Sequence, residues 1–274
     1  MRKSARMTLR ISLAALLIGA SPALACGPDT DCVLGDRTYR IAMPHGHDGA
    51  TAVGAIVFSH GYRGSAAGLM RNKGLRRAIS DMGLAFVALK SKGDGWALPN
   101  APRHMDSDGA EEFAYVDAVI ADASGRFSID TDRMMAAGFS AGGMMTWNLA
   151  CARSDLFAGF APVSGTFWLT PPDTCTGPVA NVVHIHGDSD RTVPLDGRAV
   201  GQTHQGKVSE ALAMYADYGA FAAQTPSATD MFQCENRSND AGDILEFCLF
   251  EGGHSFRSSY LQYAWSRLEA AGKL

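Results

Sequence analysis

The sequence predicts an α/β fold: one domain built on a mainly parallel sheet with helices on both faces. Two observations carry that reading. From Ala55 onward, short continuous apolar runs of strand length alternate with longer runs of helical period, the pattern of parallel strands joined by crossover helices. The stretch 133–151 then reads strand, sharp turn, helix, and its Gly138-Phe139-Ser140-Ala141-Gly142 fits the G-x-S-x-G nucleophile elbow. In such a turn the serine backbone is strained and its hydroxyl stands out at the top of the sheet. The flanking positions must therefore lack bulk where strand and helix nearly touch, and Gly138 and Gly142 meet that need.

Taken in order, 55–58 is a buried strand, 72–82 a helix stopped by Gly83, and 84–89 a second buried strand. The stretch 91–107, which holds Trp96, is too long for a plain connector and reads as a functional loop. Asp108 with Glu111 forms a capping box for a helix whose apolar stripe is Phe113, Val116, Val119 and Ile120. After the elbow come strands at 156–162 and 181–186, a helix at 207–219, a hairpin from Cys234 to Cys248 and a last helix at 258–271. Trp147, on the elbow helix, reads as core. No linker, repeat or low-complexity tract divides the chain, so one domain is expected.

Residues 1–25 have the make-up of an export signal: Arg2, Lys3, Arg6 and Arg10, an apolar run at 11–20, and Ala23-Leu24-Ala25 at the cleavage position. The run is too short to span a bilayer stably. Cleavage predicts a mature domain at 26–274 with no integral membrane segment. Acylation of Cys26 is the alternative, weakened by Ala23 where lipoprotein sites usually carry leucine. Removing the signal takes away four positive and no negative charges, so the formal balance falls from −4 to −8. No basic run interleaved with aromatics remains, which excludes nucleic acid and anionic membrane as partners. No pattern in the sequence sets the oligomeric state.

Six cysteines in an exported chain predict three disulfides. Cys26 and Cys32 close a small N-terminal loop, and Cys234 and Cys248 lie in two strand-like runs about the polar turn at 236–243, which suits a cross-strand bridge. Cys151 is left with Cys175.

Ligands of such sheets sit at the carboxyl ends of the strands, and the chemically suggestive loops lie there. The strand ending at Phe58 runs into Ser59-His60-Gly61-Tyr62-Arg63-Gly64, whose backbone is placed to aim an N–H at the serine. The N–H groups of Tyr62 and Ala141 are the candidate oxyanion donors, with Arg63 as fallback for the first. The strand ending at His186 runs into a turn with Asp188 and Asp190. Asp190 is the candidate acid, because Val193-Pro194 stiffens the chain beyond it, while Asp188 is better placed as a turn residue. The hairpin strand runs into Gly252-Gly253-His254, completing the order Ser140, Asp190, His254 at gaps of 50 and 64 residues. Trp96, Trp168 and Phe256 are the candidate walls of a substrate pocket. His184 and His186 share a strand face, but no third ligand at suitable spacing accompanies them, so no metal is expected. No phosphate loop or dinucleotide fingerprint is present, so no cofactor is expected.

Further stretches carry a family likeness: Cys-Val-Leu-Gly-Asp-Arg-Thr-Tyr-Arg-Ile-Ala-Met-Pro at 32–44, Gly95-Trp96, Ile129-Asp130-Thr131-Asp132-Arg133, Phe157-Ala158-Gly159-Phe160-Ala161-Pro162-Val163-Ser164, and His184-Ile185-His186-Gly187. With His60-Gly61, the elbow, Val193-Pro194 and Gly252-Gly253-His254, the chain resembles the secreted esterase family of the α/β-hydrolase superfamily that includes short polyhydroxybutyrate-depolymerase-like proteins and feruloyl or acetylxylan esterases. The resemblance implies an α/β-hydrolase fold, with Ser140 as nucleophile, Asp190 as acid and His254 as base, acting on carboxylic esters through an acyl-enzyme. Ala141 stands where many members have asparagine, and Tyr62-Arg63 where cysteine or threonine is common; both would act through backbone N–H groups. Twenty residues follow His254, with no linker or substrate-binding domain, which favours soluble or oligomeric esters (acetyl, feruloyl or 3-hydroxybutyryl) over solid polyester. The rivals are a polyhydroxybutyrate polymer depolymerase, a serine peptidase of the same fold and a catalytically silent envelope-binding protein.

Overall fold

The structure, a computed structural model, describes residues 26–274; the export-signal reading at 1–25 lies outside them. The chain enters through β1 (Cys32–Leu34) and β2 (Arg37–Ala42), then β3 (Val53–Ser59), α1 (Ala66–Arg71), α2 (Lys73–Asp81), β4 (Ala85–Leu89) and α3 (Ala110–Arg126). There follow β5 (Ile129–Phe139), α4 (Ala141–Ala152), a 3-10 turn at Ser154–Leu156, β6 (Gly159–Val163), β7 (Val182–Gly187), β8 (Arg198–Val200) and β9 (Thr203–Gln205). The last elements are α5 (Val208–Tyr218), β10 (Thr225–Ala228), β11 (Gln233–Ser238), β12 (Ile244–Phe250) and α6 (Ser258–Ala270).

Ten strands form one sheet in the order β1-β2-β4-β3-β5-β6-β7-β12-β11-β10. From β4 to β12 all neighbours are parallel, and antiparallel strands extend both edges. Alternate residues of the parallel strands feed two cores. Val57, Val87 and Ala136 face α3, α4 and α5 through Val116, Trp147 and Tyr215, whereas Phe58, Phe86 and Met135 face α1, α2 and α6 through Met70, Ile79 and Trp265. Burial on both faces is why these strands read as unbroken apolar runs. The single domain expected from the alternation is what the chain forms.

Five short strands escaped the sequence reading. β2 alternates buried and half-buried residues instead of running apolar, and β10 is exposed throughout and contains Pro226, which only an edge strand tolerates. α1 has six residues, opened by Ser65 accepting from the Gly68 N–H. The capping box at Asp108 and Glu111 is not formed. Gly109, at φ 81°, is the N-cap of α3, and Asp108 accepts from the Ala110 N–H two residues on, a local turn that ends before the helix begins.

The structure joins Cys26 to Cys32, Cys151 to Cys175 and Cys234 to Cys248. Cys234 and Cys248 stand directly opposite each other in the β11–β12 register.

At the elbow a single residue, Ser140, separates β5 from α4, and a Cβ on Gly142 would lie 1.9 Å from the Ser59 carbonyl oxygen. Gly142→Ala is expected to lose at least about 3 kcal/mol of stability or fail to fold. Gly125→Ala, on the exposed side of α3 where a Cβ meets nothing within 4 Å, should instead gain about 0.5–1 kcal/mol. Urea denaturation of the two variants checks both.

Candidate active site

β5 delivers Ser140 to the carboxyl edge of the sheet at φ 61°, ψ −120°, a conformation non-glycine residues rarely hold. Three groups hold it there. The Ser140 N–H donates to Val163 O at 2.9 Å, its carbonyl accepts from the Met144 N–H, and α4 behind it is buried along 142–151. Ala141 is the first residue of that helix, so its N–H has no intrahelical acceptor.

The turn after β3 lies against the elbow: a Cβ on Gly61 would sit 3.3 Å from Phe139 O and 3.5 Å from Ser140 Cβ. His60 pins this turn. Its Nδ1 donates to Gly61 O, its Nε2 accepts from the Ser91 N–H, and its own carbonyl accepts from Trp96 Nε1 at 2.9 Å. The Arg63 N–H donates to Asp94 O, which removes Arg63 as a fallback oxyanion donor. The Tyr62 N–H makes no such bond among the described residues, and it remains available as a donor along with that of Ala141.

β7 and β12 are neighbours in register, Gly187 opposite Phe250, so their following loops meet. His254 Nδ1 donates to Asp190 Oδ2 at 2.6 Å, and Asp190 Oδ1 accepts from the N–H groups of Thr192 and Val193. Asp188 serves elsewhere, accepting from the Gly252 N–H at 3.0 Å and so bracing the histidine loop. The His254 ring lies 4.6 Å from that of Phe139, the residue before Ser140. Ser140 Oγ makes no hydrogen bond among the described residues; such contacts are often long without substrate and tighten with it.

Ser140 and Ala141 open onto a cavity of about 580 Å³. Trp96 and Trp168 line it, whereas Phe256 does not: it is half-buried against the core, its ring in contact with those of Phe58 and Phe139. The loop at 91–107 supplies one wall, including Asp94, Arg103 and His104. The opposite contribution, Arg198, Val200 and Gln205 from the β8–β9 ribbon, was missed from sequence. Its strands are three residues each and mostly polar, and the only local signal is Gly201, at φ 62°, in a two-residue turn.

The chain matches the Phospholipase/Carboxylesterase family over residues 97–215, a stretch that contains Ser140 and Asp190. It is also 35% identical over 167 residues to NocK of Nocardia uniformis subsp. tsuyamanensis, whose name designates it an esterase, covering 59% of this chain and 47% of that protein. The chain has the α/β-hydrolase fold, and its stretch at 97–215 is similar to the phospholipase/carboxylesterase family. Feruloyl esterase C of Emericella nidulans is 28% identical to this chain over 184 residues, 65% of this chain and 63% of its own. The match thus spans about half of NocK and under two thirds of the feruloyl esterase. An acetyl xylan esterase from Aspergillus awamori shares the fold, with a TM-score of 0.60 at 12% identity over 90% of this chain and 97% of that one.

Behind the loop that carries Asp190 runs a buried chain of rings. The Trp147 indole N–H donates to His184 Nδ1 at 2.9 Å, so a neutral His184 carries its proton on Nε2 and donates to His186 Nδ1 at 2.9 Å. His186 Nε2–H in turn donates to Val193 O at 2.8 Å, 3.6 Å from Asp190 Oδ2. The two histidines that share a strand face are therefore spent on each other and on the acid loop. Burial pushes His184 well below its usual 6.5, with His186 beside it adding to the effect. Burial also lowers His186, against the pull of Val193 O and Asp190, and brings His60 down to about 4. Burial pushes the Asp190 carboxyl up, but the bonds from His254, Val193 and Thr192 outweigh it and hold the acid below 3.8.

These imidazoles stay neutral in the folded chain and take up protons when it unfolds below pH 6.5, so the unfolded state binds more protons and stability falls as pH falls. The contribution is whole above pH 6.5 and shrinks steadily from there toward pH 4. The midpoint of thermal unfolding is expected to drop by about 5–10 °C between pH 7 and pH 5. His60→Asn should flatten that slope, as scanning calorimetry across the range would show.

Proposed function

We propose that this hydrolase is an exported serine carboxylic-ester hydrolase, and the hydrogen bond from His254 to Asp190 beside a strained Ser140 carries the reading. With Nδ1–H held by Asp190, His254 keeps Nε2 free to take the Ser140 proton as Oγ bonds to the ester carbonyl carbon. The oxyanion is received by the N–H groups of Ala141 and Tyr62. Collapse breaks the carbon–oxygen bond to the leaving alcohol, which takes the proton from His254. Water then donates a proton to His254 as it attacks the acyl-enzyme, and the acid and Ser140 are released.

The family likeness supports ester substrates, and the names of two relatives, a feruloyl and an acetyl xylan esterase, support feruloyl or acetyl esters of polysaccharides. A cavity of about 580 Å³ walled by Trp96 and Trp168 has the size and lining for an aromatic acid or a sugar ring. Three disulfides support an oxidising compartment, in keeping with the export signal read at 1–25.

Ser140→Ala should abolish hydrolysis of methyl ferulate and 4-nitrophenyl acetate by several orders of magnitude while leaving the fold intact. Asp190→Asn should cost on the order of 10⁴ in turnover, because the amide favours the wrong histidine tautomer. Asp188→Asn should lose far less. More than about a tenth of the wild-type rate in Ser140→Ala would place the nucleophile elsewhere.

Exported protein should begin at Cys26 and weigh six hydrogens less than its reduced chain, one pair for each of the three bridges. Intact-mass and peptide mass spectrometry decide this, and an acylated Cys26 would reveal a lipid anchor instead.

A further inference from the structure

The cavity wall built by β8 and β9 carries charge that no carboxylate among the described residues answers. Arg198 pairs with Gln205 across the ribbon, and Gln205 forms an antiparallel bridge with Trp168. Directly paired residues point to the same face, and all three line the cavity. The result is a row: an indole plate, an amide, a guanidinium.

Each member of the row is fixed but unfinished. Arg198 Nε donates to Thr192 O at 2.6 Å, which aims the guanidinium and leaves both Nη groups unused. No carboxylate among the described residues lies within ion-pair distance of it. The cavity's other arginine, Arg103, is already paired, sharing Asp94 with Arg63. Gln205 is 5% exposed, and its Oε1 is buried without a hydrogen-bond partner. The Trp168 ring makes no contact with another aromatic ring among the described residues. The ribbon itself is held closed onto the neighbouring loop, because Thr203 Oγ1 donates to Asn100 O at 2.9 Å.

The charge balance sharpens the point. The whole chain has a formal charge of −4, yet the charged residues lining this cavity are one aspartate and two arginines. A cationic spot on an acidic protein, in the same cavity as the serine, selects for a negative group. A guanidinium anchored through Nε presents its paired Nη donors, a fork that matches the two oxygens of a carboxylate.

We propose that the Trp168–Gln205–Arg198 row is a specificity subsite for a carboxylate on the substrate, so that the preferred esters are anionic. The carboxylate sits on Arg198 and the segment between it and the ester lies along Trp168. This rests on the ester-hydrolase reading and narrows it to a class of substrate. Arg198 also ties the subsite to the acid loop, since the Thr192 whose carbonyl it holds gives its N–H to Asp190. Occupancy there steadies the loop that carries the acid.

The test uses two matched pairs of esters, one charged on the acyl side and one on the alcohol side: 4-nitrophenyl hydrogen adipate against 4-nitrophenyl hexanoate, and 4-acetoxybenzoate against phenyl acetate. Wild-type enzyme should favour the charged member of at least one pair by about tenfold in kcat/KM, mostly through KM. Arg198→Gln should bring that ratio to about one, Arg198→Lys should keep part of it, and added sodium chloride should weaken it. Neutral esters preferred in both pairs, or a ratio unmoved by Arg198→Gln, would overturn the subsite and leave the ester-hydrolase reading standing. No turnover of any of the four would overturn both.

Discussion

The structure turns on a backbone crossing. Where β5 gives way to α4, Gly142 passes so close to the end of β3 that a Cβ would overlap the Ser59 carbonyl, and Gly138 is as tightly closed in by Gly142 itself. Side chains on either glycine would push helix and sheet apart and swing Ser140 away from the turn at Gly61. The strain at Ser140 costs on the order of 1–3 kcal/mol. It persists because α4 is buried along most of its length, with Trp147 fully enclosed, so the helix cannot shift to relieve it.

A second constraint acts one strand pair away. Gly187 and Phe250 end parallel neighbours, and the loops beyond them are stitched together by Asp188 N–H to Phe250 O, Ser189 N–H to Gly252 O and Gly252 N–H to the Asp188 carboxylate. That stitching holds Asp190 and His254 at hydrogen-bond distance although 64 residues of chain separate them. Behind it, the Trp147–His184–His186 chain ends on the Val193 carbonyl, so the loop that carries Asp190 is fixed from the core as well as from the His254 side. α4 therefore serves both halves of the site: its first residues set Ser140, and its Trp147 begins the chain that backs Asp190.

The disulfides brace what the sheet does not. Cys151 ends α4 and is tied to Cys175, while Cys234–Cys248 locks the antiparallel edge next to the strand that leads to His254. Both bridges flank elements that carry site residues, and the third closes the N-terminal loop.

Sequence alone determined the parts whose chemistry is local. The elbow glycines, the apolar runs of β3 to β7, the Gly83 helix stop and the placement of Asp190 and His254 after strands all follow from steric need or burial that each segment declares for itself. The order of Ser140, Asp190 and His254 was legible in the loops that follow the strands, and the family likeness implied the same three residues. Tertiary structure decided what depends on partners distant in the chain. Phe256 looked like a pocket wall from its position beside His254, but it lies half-buried against the core, in contact with Phe58 and Phe139. Arg63 looked available until Asp94 took its N–H. The β8–β9 ribbon is too short and polar to show a period, and it becomes a wall only because Trp168 and Asn100 close against it. Local propensity is written residue by residue, but a cavity is the space between segments, and its walls exist only once the fold has brought them together.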